Sequence, residues 1–441
     1  MKIGLIPIRV KIFKIRNHFM KIKSKNKVNK LKSLSAFAFL LAFSFTACTS
    51  SHNVENSRVK IEKPLVLEAV KTPYTGDGIF HDANWIADDM NLGLNLGNTM
   101  EAYDATNCAQ ITYRWPVDQG ADVSRYESCW GAPETTQEII DGMKAAGFDT
   151  VRIPVFWGNM MVNDDTWTIN PLLLNRVREI VDYCMKDDLY AVVNIHHFDE
   201  FVIRRNTLED CQLIFTNLWT QIASYFANYG EKLIFEGFNE YIGGQQFNSL
   251  GKLTDLTQDQ QYKMAKVLNQ AFVSAVRSTG GNNRNRVLVV SGIWTNIDLT
   301  SSERFVMPKD SAEDKLMVSV HYVDNTMFWT GEIGTQTWID YIDDQIGKLK
   351  KRFLNKGIPV FMGECTASYV GWKKVIPDNA YEEYNESHEC LDYYLGKLME
   401  EKIVPVIWDT PNDFYSRKDF RIKDEKNEDV VRKRALQAKA R

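Results

Sequence analysis

Eight short apolar runs, each closing on polar residues, constrain this 441-residue chain more than any other feature. They read LGLNLGN (92–98), TVRIPVFW (150–157), YAVVNIHH (190–197), LIFEGFNE (233–240), RVLVVSG (286–292), LMVSVHY (316–322), IPVFMGE (358–364) and VPVIWD (404–409). Their apolar residues do not alternate with polar ones, so both faces of each run must be buried. That is the condition of a parallel sheet sheathed by helices. Amphipathic stretches at 134–146, 171–187, 213–227, 259–278, 337–356 and 381–401 supply the sheath. Eight strands alternating with helices predict a single α/β domain, a (β/α)8 TIM barrel. A doubly wound nucleotide-binding sheet needs a Gly-rich phosphate turn after its first strand, and Leu96-Gly97-Asn98-Thr99 is not one.

The polar residues that close the runs are the candidate site. Asn98, Arg152, His196, His197, Asn239, Glu240, His321, Tyr322, Glu364, Trp408 and Asp409 fall at or near C-terminal strand ends. In a barrel those ends form the face on which active sites are built. Glu240 and Glu364 are the chemical centre of this set. Acetal hydrolysis with retention needs two carboxyl groups flanking the scissile bond, roughly 5–5.5 Å apart. Like charges resist joint ionisation, so one carboxyl holds a proton while the other attacks. Glu236 competes for the strand-four role but lies four residues earlier, about 13 Å deeper, so only one of the two reaches the mouth. Asn239 and Glu240 differ in strand parity and both reach the site only if the strand bends or ends there. By the same parity one of His196 and His197 points inward and the other packs outside. No HxH, HExxH or Cys/His spacing accompanies them, so no metal and no cofactor are expected. Trp115, Trp130, Trp294 and Trp329 fall in loops, where rings serve sugar stacking or loop packing equally well.

The motifs LNLGNTMEA (94–102), GFDTVRIPVFW (147–157), VNIHH (193–197), IFEGFNE (234–240), SVHY (319–322), VFMGE (360–364) and VIWD (406–409) together resemble glycoside hydrolase family five. The likeness covers residues 85–420 and is greatest to its subfamily four of endo-β-1,4-glucanases, lichenases and xyloglucanases. It implies a retaining endo-β-1,4-glucanase with Glu240 as acid/base and Glu364 as nucleophile. Arg152 would bond the nucleophile, Asn239 the sugar 2-hydroxyl, and Trp408 would be the stacking floor. His196, His197 and His321 would line the same sugar. Three departures stand beside this. The family's strand-six His-x-Tyr is interrupted by Val323, so Tyr322 stands in for that Tyr; Cys365-Thr366 replace an aromatic and Gly; Tyr241 replaces Pro. A β-mannanase of the same clan and a non-catalytic glycan-binding surface lipoprotein are the alternatives.

Residues 1–47 hold eleven Lys or Arg and no acid, leaving 42 basic against 57 acidic residues in the rest. An acidic body argues against nucleic acid and fits a neutral polymer such as a β-glucan. The basic segment, the short apolar run 34–45 and Thr46-Ala47-Cys48 read as a signal peptide over 1–47, with Cys48 as the lipidated residue of a bacterial lipoprotein. Residues 48–84 read as a flexible tether and 85–441 as the catalytic barrel. The expectation is an exported monomer, held by its lipid at the outer membrane and by no other membrane contact. Cys108 and Cys129 share one loop and are positioned to pair after export.

Overall fold

The computed structural model of the protein describes residues 59, 61–103, 122–163, 166–240, 244–247, 253–322, 334–365, 387–411 and 413–439. Eight strands close into an all-parallel barrel: β1 (Gly93–Asn95), β2 (Thr150–Ile153), β3 (Tyr190–Asn194), β4 (Leu233–Glu236), β5 (Leu288–Ser291), β6 (Leu316–Tyr322), β7 (Val360–Cys365) and β8 (Val404–Ile407). Each of the eight apolar runs contributes one strand. The sheath comprises α2 (Gln137–Ala146), α3 (Pro171–Lys186), α4 (Leu208–Tyr225), α5 (Gln258–Ser278), α6 (Gln336–Arg352), α7 (Ser387–Glu400) and α8 (Glu425–Lys439), while α1 (Ala83–Met90) precedes β1. After β5 the helix shrinks to Ile297–Thr300. Local chemistry sets the helix starts: Asn170 caps α3 ahead of Pro171, and Thr207 caps α4. A Thr257–Gln260 capping box opens α5.

Polarity changes along the barrel axis. Val192, Ile234, Val289, Met317, Phe361, Val404 and Val406 form one buried cluster with Ile86, Ala87 and Met90 of α1, which plugs the N-terminal end. One step further up, the inward positions become Asn95, Arg152, Asn194, Glu236 and Ser319, all buried. An apolar base under a polar layer makes the barrel a one-ended scaffold.

The expected tether of 48–84 is corrected. Leu65 N–H donates to Asn217 Oδ1 (2.7 Å), Leu67 N–H to Ser224 Oγ (2.8 Å) and Val70 N–H to Tyr225 O (2.9 Å). Gly230 N–H returns a bond to Tyr74 O at 2.9 Å, and His81 pairs with Glu231 at 2.9 Å. Residues 65–81 therefore belong to the body, with 65–70 laid along α4, and Val59 ahead of them is already buried in the core. Backbone bonding orders this stretch, and no hydrophobic period reports such bonds. The segment 1–47, Cys48, Cys108, Trp115 and Trp329 lie outside the described residues.

Candidate active site

Arg152 is the hub. It is fully buried, and its guanidinium donates from Nε to Glu236 Oε2 (2.7 Å), from Nη1 to Asn95 Oδ1 (2.9 Å) and Glu364 Oε1 (2.8 Å), and from Nη2 to Asn239 Oδ1 (2.9 Å). Burial works against its charge, and Glu236 and Glu364 more than restore it. Glu236 also accepts from Asn194 Nδ2 (3.1 Å) and Ser319 Oγ (2.7 Å). It is a buried counter-ion beneath the site, as its depth in β4 requires. Asn95 passes its amide protons to Gly363 O (2.9 Å) and Ile407 O (3.1 Å), clipping β1 to β7 and β8. Arginine has no acceptor, so Asn239 must turn Oδ1 to it and present Nδ2 outward.

Two irregularities aim the carboxyl groups. β4 ends at Glu236: Gly237 N–H makes the last ladder bond, to Val289 O at 2.9 Å, and Phe238 N–H then turns to the Ser291 hydroxyl at 3.0 Å, so 238–240 leave the pleat. Asn239 and Glu240 thereby both enter the site despite their parity. In β7 the register with β6 runs Val320↔Met362 and then His321↔Glu364, which leaves Gly363 as the extra residue of a bulge. Phe361 faces the barrel interior, so an unbroken pleat would turn Glu364 toward the helices; the bulge turns it inward. A Cβ on residue 363 would lie 3.0 Å from His321 Nε2 and 3.2 Å from Glu236 Oε1, which explains the glycine.

The result is a pair. Oxygens of Glu240 and Glu364 and a ring nitrogen of His321 all lie within 4.8 Å of one another. His321 Nδ1 is 3.0 Å from Glu240 Oε1 and 3.6 Å from Glu364 Oε2. That closeness sits with the roughly 5–5.5 Å of retaining sites and is short of the about 6.5–9.5 Å that accommodates a water between the carboxyl groups. Burial pushes the Glu364 carboxyl up to about 7, with His321 and Arg152 pulling it down and Glu240 raising it. Two carboxyl groups this close resist ionising together. Arg152, bonded to Glu364 and not to Glu240, draws the negative charge to Glu364. The trio is also the one His/Cys/Asp/Glu grouping, among the described residues, compact enough to share a metal ion.

Around the pair stands an aromatic wall. β3 ends at Asn194 and His197 takes a left-handed conformation (φ 57°), so both imidazoles sit at the mouth with ring centroids 4.9 Å apart. The expected split, one of His196 and His197 inward and the other packed outside, is corrected, because strand parity ends where the strand does. Burial first, then the charges of His197, Arg152 and His321, drive His196 well below the usual imidazole range, so it is a neutral wall. Trp408 lies near-parallel to His196, 6.4 Å away. Tyr103, Phe156 and Trp130 surround His197 at 5.1, 5.7 and 5.9 Å.

Tyr322 is a correction to the expected site. It follows His321 on a regular strand, so it points outward, packing on Tyr394 (4.6 Å) and Tyr341 (6.1 Å). Asn98 occupies the turn above β1 (φ 54°) with its N–H bonded to the buried Glu101, and Asn95 makes the bond to Arg152 instead. Sequence reasoning also passed over the support of Trp130. The Glu127 carboxylate takes Arg176 Nε (2.8 Å) and Nη2 (3.0 Å) and Thr135 N–H (2.6 Å), fixing the loop that carries this half-exposed indole. Trp294 packs its ring against Gly244 and donates to Gln261 Oε1 at 2.9 Å.

Comparison with known proteins agrees with this geometry. Residues 116–413 match the family model described as cellulase, glycosyl hydrolase family 5. Endoglucanase A of Paenibacillus barcinonensis is 30% identical over 390 residues, covering 80% of this chain and 88% of that protein. A broad-specificity endoglucanase of subfamily 4 from an uncultured bovine rumen ciliate superposes with a TM-score of 0.66 at 29% identity, covering 81% of this chain and 99% of the other. A family 5 enzyme from Prevotella bryantii, solved as a mutant with a xyloglucan tetradecasaccharide, gives 0.65 at 26% identity over 81% and 99%.

Proposed function

The chain belongs to glycosyl hydrolase family 5, the cellulases, and on that premise we propose that it is a retaining endo-β-1,4-glucanase of subfamily four, with Glu364 as nucleophile and Glu240 as acid/base. The observation that carries the assignment of roles is the asymmetry of Arg152, which bonds Glu364 and leaves Glu240 with His321. Glu364 Oε1 is engaged by Arg152, so Oε2 attacks the anomeric carbon while Glu240 gives its proton to the departing glycosidic oxygen. The C–O bond to the leaving chain breaks as the ester to Glu364 forms. Esterification removes the charge on Glu364, and Glu240, now ionised, takes a proton from water as the water attacks the anomeric carbon and frees Glu364. Asn239 Nδ2 holds the sugar 2-hydroxyl, and Trp408 with neutral His196 forms the apolar bed for the ring.

The substrate is a β-glucan backbone: cellulose-like, mixed-linkage or xyloglucan. Glu240→Gln and Glu364→Gln should each abolish release of reducing sugar from all three while cellotetraose binding persists. Hydrolysis surviving in either variant would overturn the assignment, and faster cleavage of mannan than of glucan would overturn the substrate class. We further propose that the protein is exported and lipid-anchored through Cys48, on the strength of the basic leader, the 34–45 apolar run and Thr46-Ala47-Cys48. Labelled palmitate should enter the wild type and not Cys48→Ala.

A further inference from the structure

The barrel closes where β1 meets β8, and the loops above those two strands are tied by one side chain. Arg417, buried beyond β8, donates from Nη1 to Thr99 Oγ1 (2.6 Å) and from Nη2 to Gly97 O (2.7 Å). Both acceptors belong to the loop after β1. That loop is itself wound tight: Thr99 Oγ1 donates to Gly97 O at 3.1 Å, and Glu101 accepts from Asn98 N–H and, at 2.9 Å, from Thr99 N–H. Gly97 backs the Trp408 indole so closely that a Cβ there would strike Asp409 O and lie 3.0 Å from the Trp408 ring. The Trp408 backbone N–H donates to Cys365 O (2.9 Å), one residue past the nucleophile.

Asp409 stands beneath this junction. Its Oδ1 accepts from Phe414 N–H (2.8 Å) and Tyr415 N–H (3.2 Å), which folds its own loop, while Oδ2 is 3.9 Å from Arg417 Nη2. Arg417 therefore does not spend its directional bonds on its nearest acid. They go to two neutral acceptors of another loop, with the acid supplying only the compensating charge that a buried guanidinium needs. A simple structural ion pair would be arranged the other way round.

We propose that Arg417 is a positioning residue of the hydrolase: it latches the loop after β1 to the loop after β8 and so sets the height of the Trp408 floor against Glu364. The fork is essential, because the two acceptors are met by two different nitrogens. A lysine nitrogen falls about one bond length short of the two Nη positions, so it lengthens both contacts and loses the fork.

The inference rests on the proposed glucanase reading, and the experiment separates the two. Cellotetraose binding is measured by tryptophan fluorescence and calorimetry on Glu240→Gln protein, and kcat/KM on active protein, for Arg417→Lys, Trp408→Ala and the double variant. Arg417→Lys should weaken binding and kcat/KM about tenfold, while the double variant matches Trp408→Ala within about twofold, because the latch acts through that ring. Should Arg417→Lys not fold, Thr99→Val removes one acceptor at nearly constant volume and enters the same cycle, with about a threefold loss expected. Additive losses, or unchanged binding in folded Arg417→Lys or Thr99→Val, overturn the latch alone. A wild type that binds cellotetraose but hydrolyses no β-glucan overturns the functional reading and leaves the latch to be judged on binding.

Discussion

Replacing Arg152 by lysine tests the centre of the argument, because charge is kept and only the fork is lost. Four hydrogen bonds leave three nitrogens of the guanidinium: one to Glu236 from Nε, three to Glu364, Asn95 and Asn239 from the terminal pair. A lysine ammonium on its shorter stem stays with Glu236 and loses the other three. One lost bond is to a charged acceptor, about 1.5–3 kcal/mol, and two are to neutral amides at about 1 kcal/mol each. Stability should therefore fall by about 4 kcal/mol, a large share of the roughly 5–15 kcal/mol available to a protein of this kind.

The kinetic consequence follows from the same bond. Arg152 is one of the two charges that pull down a Glu364 carboxyl which burial has pushed to about 7. Losing about 2–3 kcal/mol of anion stabilisation moves that carboxyl up by about 1.5–2 further units, at about 1.4 kcal/mol per unit. At pH 6 the ionised nucleophile becomes about a hundredfold rarer, and kcat should drop by that factor. The acidic limb of the pH profile, which follows ionisation of the nucleophile, should shift upward by a similar span. Urea titration, circular dichroism and reducing-sugar assays between pH 5 and 9 read all three quantities. A folded Arg152→Lys enzyme with kcat within threefold of wild type and an unmoved acidic limb would refute the reasoning.

Four more expectations come from individual residues. Because Glu364 must be ionised to attack, kcat/KM should decline as pH falls below the Glu364 value of about 7. The same shift has a stability sign: a carboxyl raised from 4.5 to about 7 binds its proton in the native state, so its contribution to stability falls as pH climbs through that window. Glu364→Gln should then be the more thermostable protein at pH 8, by at most about 3 kcal/mol, with the gap closing by pH 4.5; an equal gap at both ends would sink the burial argument. Glu127→Gln breaks the clamp from Arg176 under the Trp130 loop and should raise KM severalfold for long glucans with kcat within twofold; a change in kcat alone would contradict it. Arg286→Met removes buried bonds to the carbonyls of Gly230 (2.7 Å), Leu233 (2.5 Å) and Tyr229 (2.7 Å). At about 1–3 kcal/mol per unsatisfied group it should lower the urea midpoint by several kcal/mol equivalents while kcat of the folded fraction holds.

The barrel was legible because its signal is additive. Each strand buries both faces, so VVN in β3 and VRI in β2 read as apolar runs without knowledge of their partners. Helix ends were legible within a turn where a cap marks them, as at Asn170-Pro171. The ordered stretch from Leu65 to Tyr74 was not, since its bonds run to Asn217, Ser224 and Tyr225 on a helix about 150 residues away. Arg417 was hidden for the same reason, its acceptors lying at Thr99 and Gly97.

Within the site, the errors and the successes have one cause. The family pattern put Tyr322 in the site against strand parity; on a regular strand the residue after His321 must face the helices, and it does. Parity also failed for His196-His197 and gave a conditional answer for Asn239-Glu240, both of which lie beyond the last paired residue of their strands. Glu364 reached the interior by a bulge at Gly363, between residues of opposite facing. The catalytic end of a parallel strand is the place where pairing stops, so neighbouring residues there are free to converge on one substrate. A period-of-two argument is therefore reliable up to the polar layer of Asn95, Arg152, Asn194 and Glu236 and loses force above it. Glycines such as Gly237 and Gly363, standing just before the functional carboxylates, are the marks in the sequence of where that change occurs.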